Sequence, residues 1–209
     1  MHRVSNDDWY RNREWSEEVE AEFFAKLKRA RRKEQYLRIQ ASTIARNSPD
    51  VALMLLDQYF GLDDDFDHAQ AYCDMASAFL AKGEIQKAVE SYGRALEREA
   101  KFPNLKTDAY ILYPLTIVEN KLTHLYHSAK ETLEAHQDRL MFPIDYFRWH
   151  AAKAIIAADS GEQELAASHA TSALEAAQIK KSDFRFHQNL GLVGKEYKGV
   201  VNELRAMYA

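Results

Sequence analysis

The sequence predicts an all-α fold built from repeated helical hairpins, and three observations carry that prediction. Within Ala69–Asn104, the residues Tyr72, Met75, Ala76 and Phe79 are three, one and three apart and share one helical face. Ala88, Tyr92 and Ala95 share a second face, and Gly83 stands between the two as a turn. The pattern returns: Tyr36 and Tyr72 are 36 residues apart, about two more than the usual period of such a helix–turn–helix unit, and the extra residues fit an intervening loop. Finally, the 209 residues include only seven glycines and four prolines, and strand-like alternation is scarce.

The order in Ala69–Asn104 is aromatic, then large and small, then aromatic, then small, large and small. That stretch resembles a tetratricopeptide repeat, except that Ala100 stands where the family usually has proline. The resemblance implies a right-handed solenoid of about four helical hairpins, with capping helices at both ends. It also implies a binding protein, because the family signature is structural. The small residues explain the geometry: Ala76 and Ala88 let two helices cross closely, and Ala95 leaves room for the next pair. The whole chain, 1–209, reads as one such domain. Residues 1–33 form an arm and capping helix, 34–181 the repeats, and 182–209 a partial repeat and cap.

The first fifteen residues are polar and aromatic, and carry Trp9 and Trp15. Disordered tails are poor in aromatics, so this arm is expected to dock on the body. It is read either as a fixed cap or as a segment that competes with a partner for the groove. Ser16 is placed to cap a helix running to about Lys33, with Val19, Phe23, Leu27 and Ala30 as its apolar stripe. Glu17, Glu18, Glu20 and Glu22 crowd its start and Lys26 to Lys33 its end, an order that complements a helix dipole. The rival reading of KLKRARRK is a nucleic-acid patch.

Gln35–Gly61 reads as a degenerate first repeat whose second helix starts at Ser48-Pro49-Asp50. The acidic loop that follows, with Asp63, Asp64, Asp65 and Asp67, lacks the glycine and glutamate of a calcium loop. It reads as solvated, with Asp67 capping the next helix. Thr107–Arg139 holds a third repeat, its second helix marked by Tyr126, Ala129 and Leu133. There Pro114 falls either near a helix start or, if the helix begins at Asp108, inside it. A fourth repeat starts near Asp145, with Ala154 and Ala157 on its first helix, a turn at Gly161, and Ala166, Ala170 and Ala173 on its second. Phe184-Arg185-Phe186-His187 echoes Phe147-Arg148-Trp149-His150 at a distance of 37 residues, which suggests a fifth, imperfect unit, in which Leu190, Gly191, Leu192, Val193 and Gly194 make a poor helix and read as a loop. A last helix, about Lys195–Met207, caps the end through Val200, Val201 and Leu204.

A formal net charge of −4 gives no general attraction to nucleic acid or acidic membranes. The single cysteine, Cys73, excludes an internal disulfide and suits a reducing, cytoplasmic setting. No basic-then-apolar leader opens the chain, and no apolar run is long enough to span a bilayer. No catalytic constellation, phosphate loop or paired metal motif is present, so neither enzyme activity, cofactor nor metal is expected. His124 and His127 lack a third ligand nearby in sequence and read as exposed.

The resemblance also implies which positions line the inner groove. On the first repeat they are Glu34, Leu37, Ala41 and Ile44; on the clear repeat, Gln70, Cys73, Ser77 and Leu80; on the fourth, Arg148, Ala151, Ile155 and Ala158. Arg185 would repeat the position of Arg148. The lysine and asparagine by which chaperone-binding members clamp a terminal carboxylate are missing, and the groove reads as apolar along much of its length. The function so read is non-catalytic binding of another protein or peptide, as a scaffold, with homo-oligomers left open. The alternatives are nucleic-acid binding through 26–33 and sensing of a small anion or nucleotide through the paired FRxH segments.

Overall fold

A computed structural model describes residues 8–62 and 67–207. Among these residues the chain is all-helical, with no strand. No described helix is long and apolar enough to cross a membrane. The acidic segment 63–66, and with it the calcium-loop question, lies outside the described residues, as does the start of the arm. The chain divides into two compact units, Met1–Ala109 and Tyr110–Ala209.

In the first unit, α1 (Glu17–Arg29) begins as expected, with the Ser16 hydroxyl accepting from Val19 N. It ends four residues early. Ala30 is extended, at φ −74° and ψ 144°, and α2 (Lys33–Ile44) starts just beyond. Only Lys26, Lys28 and Arg29 therefore sit at a helix C-terminus, while Arg31, Arg32 and Lys33 stand at the start of the next helix. The single dipole-matched helix read from the sequence is two helices. Pro49 opens α3 (Pro49–Phe60), where its missing N–H costs nothing. Then come α4 (His68–Ala81) and α5 (Ile85–Lys101). The hairpins α2–α3 and α4–α5 each pack along their lengths, and α4 also packs on α3 and α2. Gly83 takes the α4–α5 turn at φ +73°, as its place in the repeat requires.

The arm is docked. Asn12 N and Nδ2 both donate to Gln40 Oε1, at 2.9 and 3.1 Å, and Gln40 Nε2 donates to Asn12 O at 2.7 Å. Gln40 is fully buried. Trp9 lies 4.9 Å from the Tyr36 ring and 5.4 Å from Phe23, centroid to centroid, and Trp15 lies 5.5 Å from Phe23. These rings join Leu27, Leu37, Ala41, Ile44 and Leu56 in one core.

In the second unit, α6 (Ala109–Glu119) starts early and carries Pro114 inside the helix, the second of the two readings of that proline. It is followed by α7 (Tyr126–Ala135), α8 (Pro143–Asp159), α9 (Gln163–Gln178) and α10 (Lys198–Ala206). Asp145 Oδ2 accepts from Met141 N and Phe142 N, closing the start of α8. Helices α8 and α9 form a tight hairpin with Ala151, Ala152, Ala154, Ala166, Ala170 and Ala173 all buried. The α10 cap packs on α8 and α9, with Leu204 fully buried. No helix begins at Phe184: residues 179–194 are turns and bends, so the expected fifth unit is absent there. Val193 aside, this stretch holds two glycines and an asparagine among its last six residues, a poor helix former.

Ala88 has no exposed surface, at the crossing of α4 and α5. Ala88→Leu is expected to overpack that crossing and cost roughly 1–3 kcal/mol. Thermal or urea melts measure the loss, and an unchanged midpoint would place Ala88 outside the helix contact.

Candidate functional site

Helices α2 and α4 lie side by side, and their shared face carries a polar cluster built around Arg38. Its Nη1 donates to Asp74 Oδ2 at 3.1 Å, and its Nε donates to Asp67 Oδ2 at 3.2 Å. Gln70 Nε2 donates to Asp74 Oδ1 at 3.3 Å, and the Ser42 hydroxyl also bonds Asp74. Arg38 and Asp74 stand 36 residues apart, at the same position of successive first helices. Burial pushes the Asp74 carboxyl above its usual range, against the pull of the Arg38 guanidinium. Asp67 stands at the N-cap position of α4 as expected, but its side chain makes no capping bond and faces Arg38.

The residues read as groove-lining divide into two groups. Leu37, Ala41, Ile44, Cys73, Ala151 and Ile155 are buried, whereas Ser77, Leu80 and Arg148 are half-buried and Arg185 is exposed. Leu37, Ala41 and Ile44 belong to the core shared with α1 and the arm. The accessible side chains of α2 and α4 include Glu34, Arg38, Ser42, Gln70, Ser77 and Leu80, a set more polar than the sequence suggested. Cys73 Sγ donates to Thr107 Oγ1 at 3.3 Å. Burial drives its thiol up to about 12, so it remains protonated and unreactive at neutral pH. Thr107 is held in turn by the buried Glu99, whose Oε1 accepts from Thr107 N at 2.7 Å.

Arg148 and Arg185 do not repeat one another. Arg148 sits on α8 and its Nε donates to Tyr197 Oη at 2.8 Å, tying the helix to the start of the C-terminal cap. Arg185 lies in the turn segment with its guanidinium over the Phe186 ring. Asp145, one turn before Arg148 on α8, gives its carboxylate to the backbone of Met141 and Phe142. His124 and His127 are exposed, and His127 Nε2 lies 3.3 Å from Glu131 Oε1.

Sequence reasoning missed a histidine pair. His150 Nδ1, on α8, is 3.0 Å from His169 Nδ1, on α9, and both rings meet Trp149 edge-on. One ring must carry its proton on Nδ1 and the other must leave Nδ1 bare. Lys153 stacks on Trp149 with its Nζ 4.5 Å from the ring centre, and lies 3.7 Å from Glu134. Burial, then the His169 ring and the Lys153 charge, hold His150 down at about 4; burial and Lys153 also lower His169. The 19-residue separation across a helical turn gave no motif to detect. Among the described residues no group of three or more His, Cys, Asp or Glu is placed to hold a metal.

Set against protein-family models, curated proteins and solved structures, the chain matches none.

Two outcomes test these clusters. Arg38→Met should leave Asp74 buried without its cation and cost about 3 kcal/mol, while adding Asp74→Leu should recover much of it. A double variant no better than the single one would show that the pair is not coupled. For the histidines, the folded pKa lies below the unfolded value of 6.5, so the unfolded chain takes protons that the folded chain refuses. Stability should therefore fall as pH drops from about 6.5 towards about 4, and level off below that. Melting curves at about pH 7 and about pH 5 should show a smaller drop for His150→Phe than for the wild type.

Proposed function

We propose that this chain is a non-catalytic binding protein of tetratricopeptide type. Its first helices present the inner face of a right-handed solenoid to a peptide or protein segment. The observation that supports this most directly is the Arg38–Asp74 pair. It joins equivalent positions of α2 and α4, so two successive first helices stand next to each other, as repeat stacking requires. The face beside that pair offers Glu34, Gln70, Ser77 and Leu80, a mixture of hydrogen-bonding groups with one large apolar side chain. Such a surface suits an extended or helical segment that contributes both apolar anchors and polar groups.

The test is affinity capture with the full chain, followed by cross-linking to map the contact. Ser77→Arg with Leu80→Arg should weaken the captured protein by more than about tenfold, or 1.4 kcal/mol, with the melting point held. Capture of nucleic acid alone, or a protein contact indifferent to both changes, would overturn the reading.

A further inference from the structure

The break between α1 and α2 creates a feature that the protein-binding face does not use. A cleft of about 340 Å³ opens there, lined by Trp9, Tyr36, Ala30, Lys26 and Arg29. Its floor is aromatic and its rim is cationic. Lys28, Arg29, Arg31, Arg32 and Lys33 are all exposed around the corner, and Lys26 is held 2.6 Å from Glu22. The wall supplied by the arm is fixed in place by the Asn12–Gln40 bonds and by the Trp9–Tyr36 contact. The cleft therefore exists before any ligand arrives, which lowers the ordering cost of binding.

Glu34 is the one acid in the first turn of α2, so Arg31, Arg32 and Lys33 stand only partly offset at the positive end of its dipole, and these exposed cations repel one another. An anion at this corner relieves both conflicts, and the aromatic floor adds apolar contact that a simple anion would leave unused.

We infer that this cleft docks an acidic peptide segment carrying an aromatic or large apolar side chain, with the side chain seated against Trp9 and Tyr36 and the carboxylates on Arg29, Arg31 and Arg32. A nucleic-acid strand fits the surface less well. Glu17, Glu18, Glu20 and Glu22 are exposed on the same short helix. Glu22 already pairs with Lys26 at the edge of the cleft, and Glu20, Glu18 and Glu17 continue the acidic run along α1. A long polyanion following α1 meets those carboxylates, whereas a short acidic segment seated on Arg29, Arg31 and Arg32 stays on the other side of Lys26. This docking surface is separate from the Ser77–Leu80 face, and its test can fail while that reading stands.

The experiment is selection of a random peptide library displayed on phage against the intact chain, with a fluorescent single-stranded oligonucleotide titrated in parallel. Enriched peptides should be acidic and contain an aromatic or large apolar residue. Their affinity should fall by more than about tenfold in Arg29→Glu with Arg32→Glu, and by less in Arg29→Gln, with melting points confirming that both variants fold. Four results overturn the proposal: no enrichment; enrichment of neutral or basic peptides; acidic peptides that ignore the arginine changes but are lost in Ser77→Arg with Leu80→Arg; or an oligonucleotide that binds more tightly than the selected peptides.

Discussion

An amphipathic helical hairpin cannot bury both of its sides, and each unit meets that constraint in its own way. In the first, α2 would expose the stripe Leu37, Ala41 and Ile44 if the chain began with it. The preceding α1 and arm supply Phe23, Leu27, Trp9 and Trp15 to the same core. In the second, α10 packs on α8 and α9 and buries Leu204. Capping of this kind lets a helical hairpin meet water without a bare apolar face.

The first cap rests on a polar contact as well as on apolar ones. Gln40 occupies the position that Ala76 holds in the next hairpin, 36 residues on, and both are fully buried. A small residue there admits a helix; a glutamine amide there receives irregular backbone. Its oxygen accepts from Asn12 N while its nitrogen donates to Asn12 O, so both main-chain groups of one arm residue are satisfied. A segment without secondary structure can be buried only if its backbone finds such partners. The glutamine thus makes this position of α2 the docking point for the arm.

Where the sequence carried periodic spacing, it was legible. The α4–α5 hairpin, the turns at Gly83 and Gly161, the alanine-lined α8–α9 pair and the last helix all follow from residues three and four apart. The docked arm was legible from its aromatics. The reading failed where a local pattern permits two geometries. Leu37, Ala41 and Ile44 form a stripe whether they face a groove or an added helix, and the added helix covers them. Phe184–His187 copies the composition of a helix start, but the glycines that follow prevent a helix from forming. Pro114 shows the converse: a helix continues through a proline when the surrounding residues, Ile111, Leu115, Ile117 and Val118, are all buried. The candidate site was legible only in part. Ser77 and Leu80 follow from the repeat resemblance, but the Arg38 cluster and the histidine pair join residues with no shared motif.

The basic run at 26–33 shows why charge alone is an incomplete guide. As one helix, its six cations all complement the negative end of a dipole. As two, the same residues have opposite electrostatic meaning: Lys28 and Arg29 stabilise the end of α1, and Arg32 and Lys33 oppose the start of α2. The break itself rests on Ala30, whose extended backbone stops the helix without glycine or proline. Alanine has the highest helix propensity, so local preference cannot account for the stop. The stop lies where Ala30 and Tyr36 line one cleft with Trp9, which the arm brings against Tyr36. A corner at which both propensity and dipole are overruled is where local rules yield to a requirement of the folded chain, and such places tend to be surfaces that serve binding.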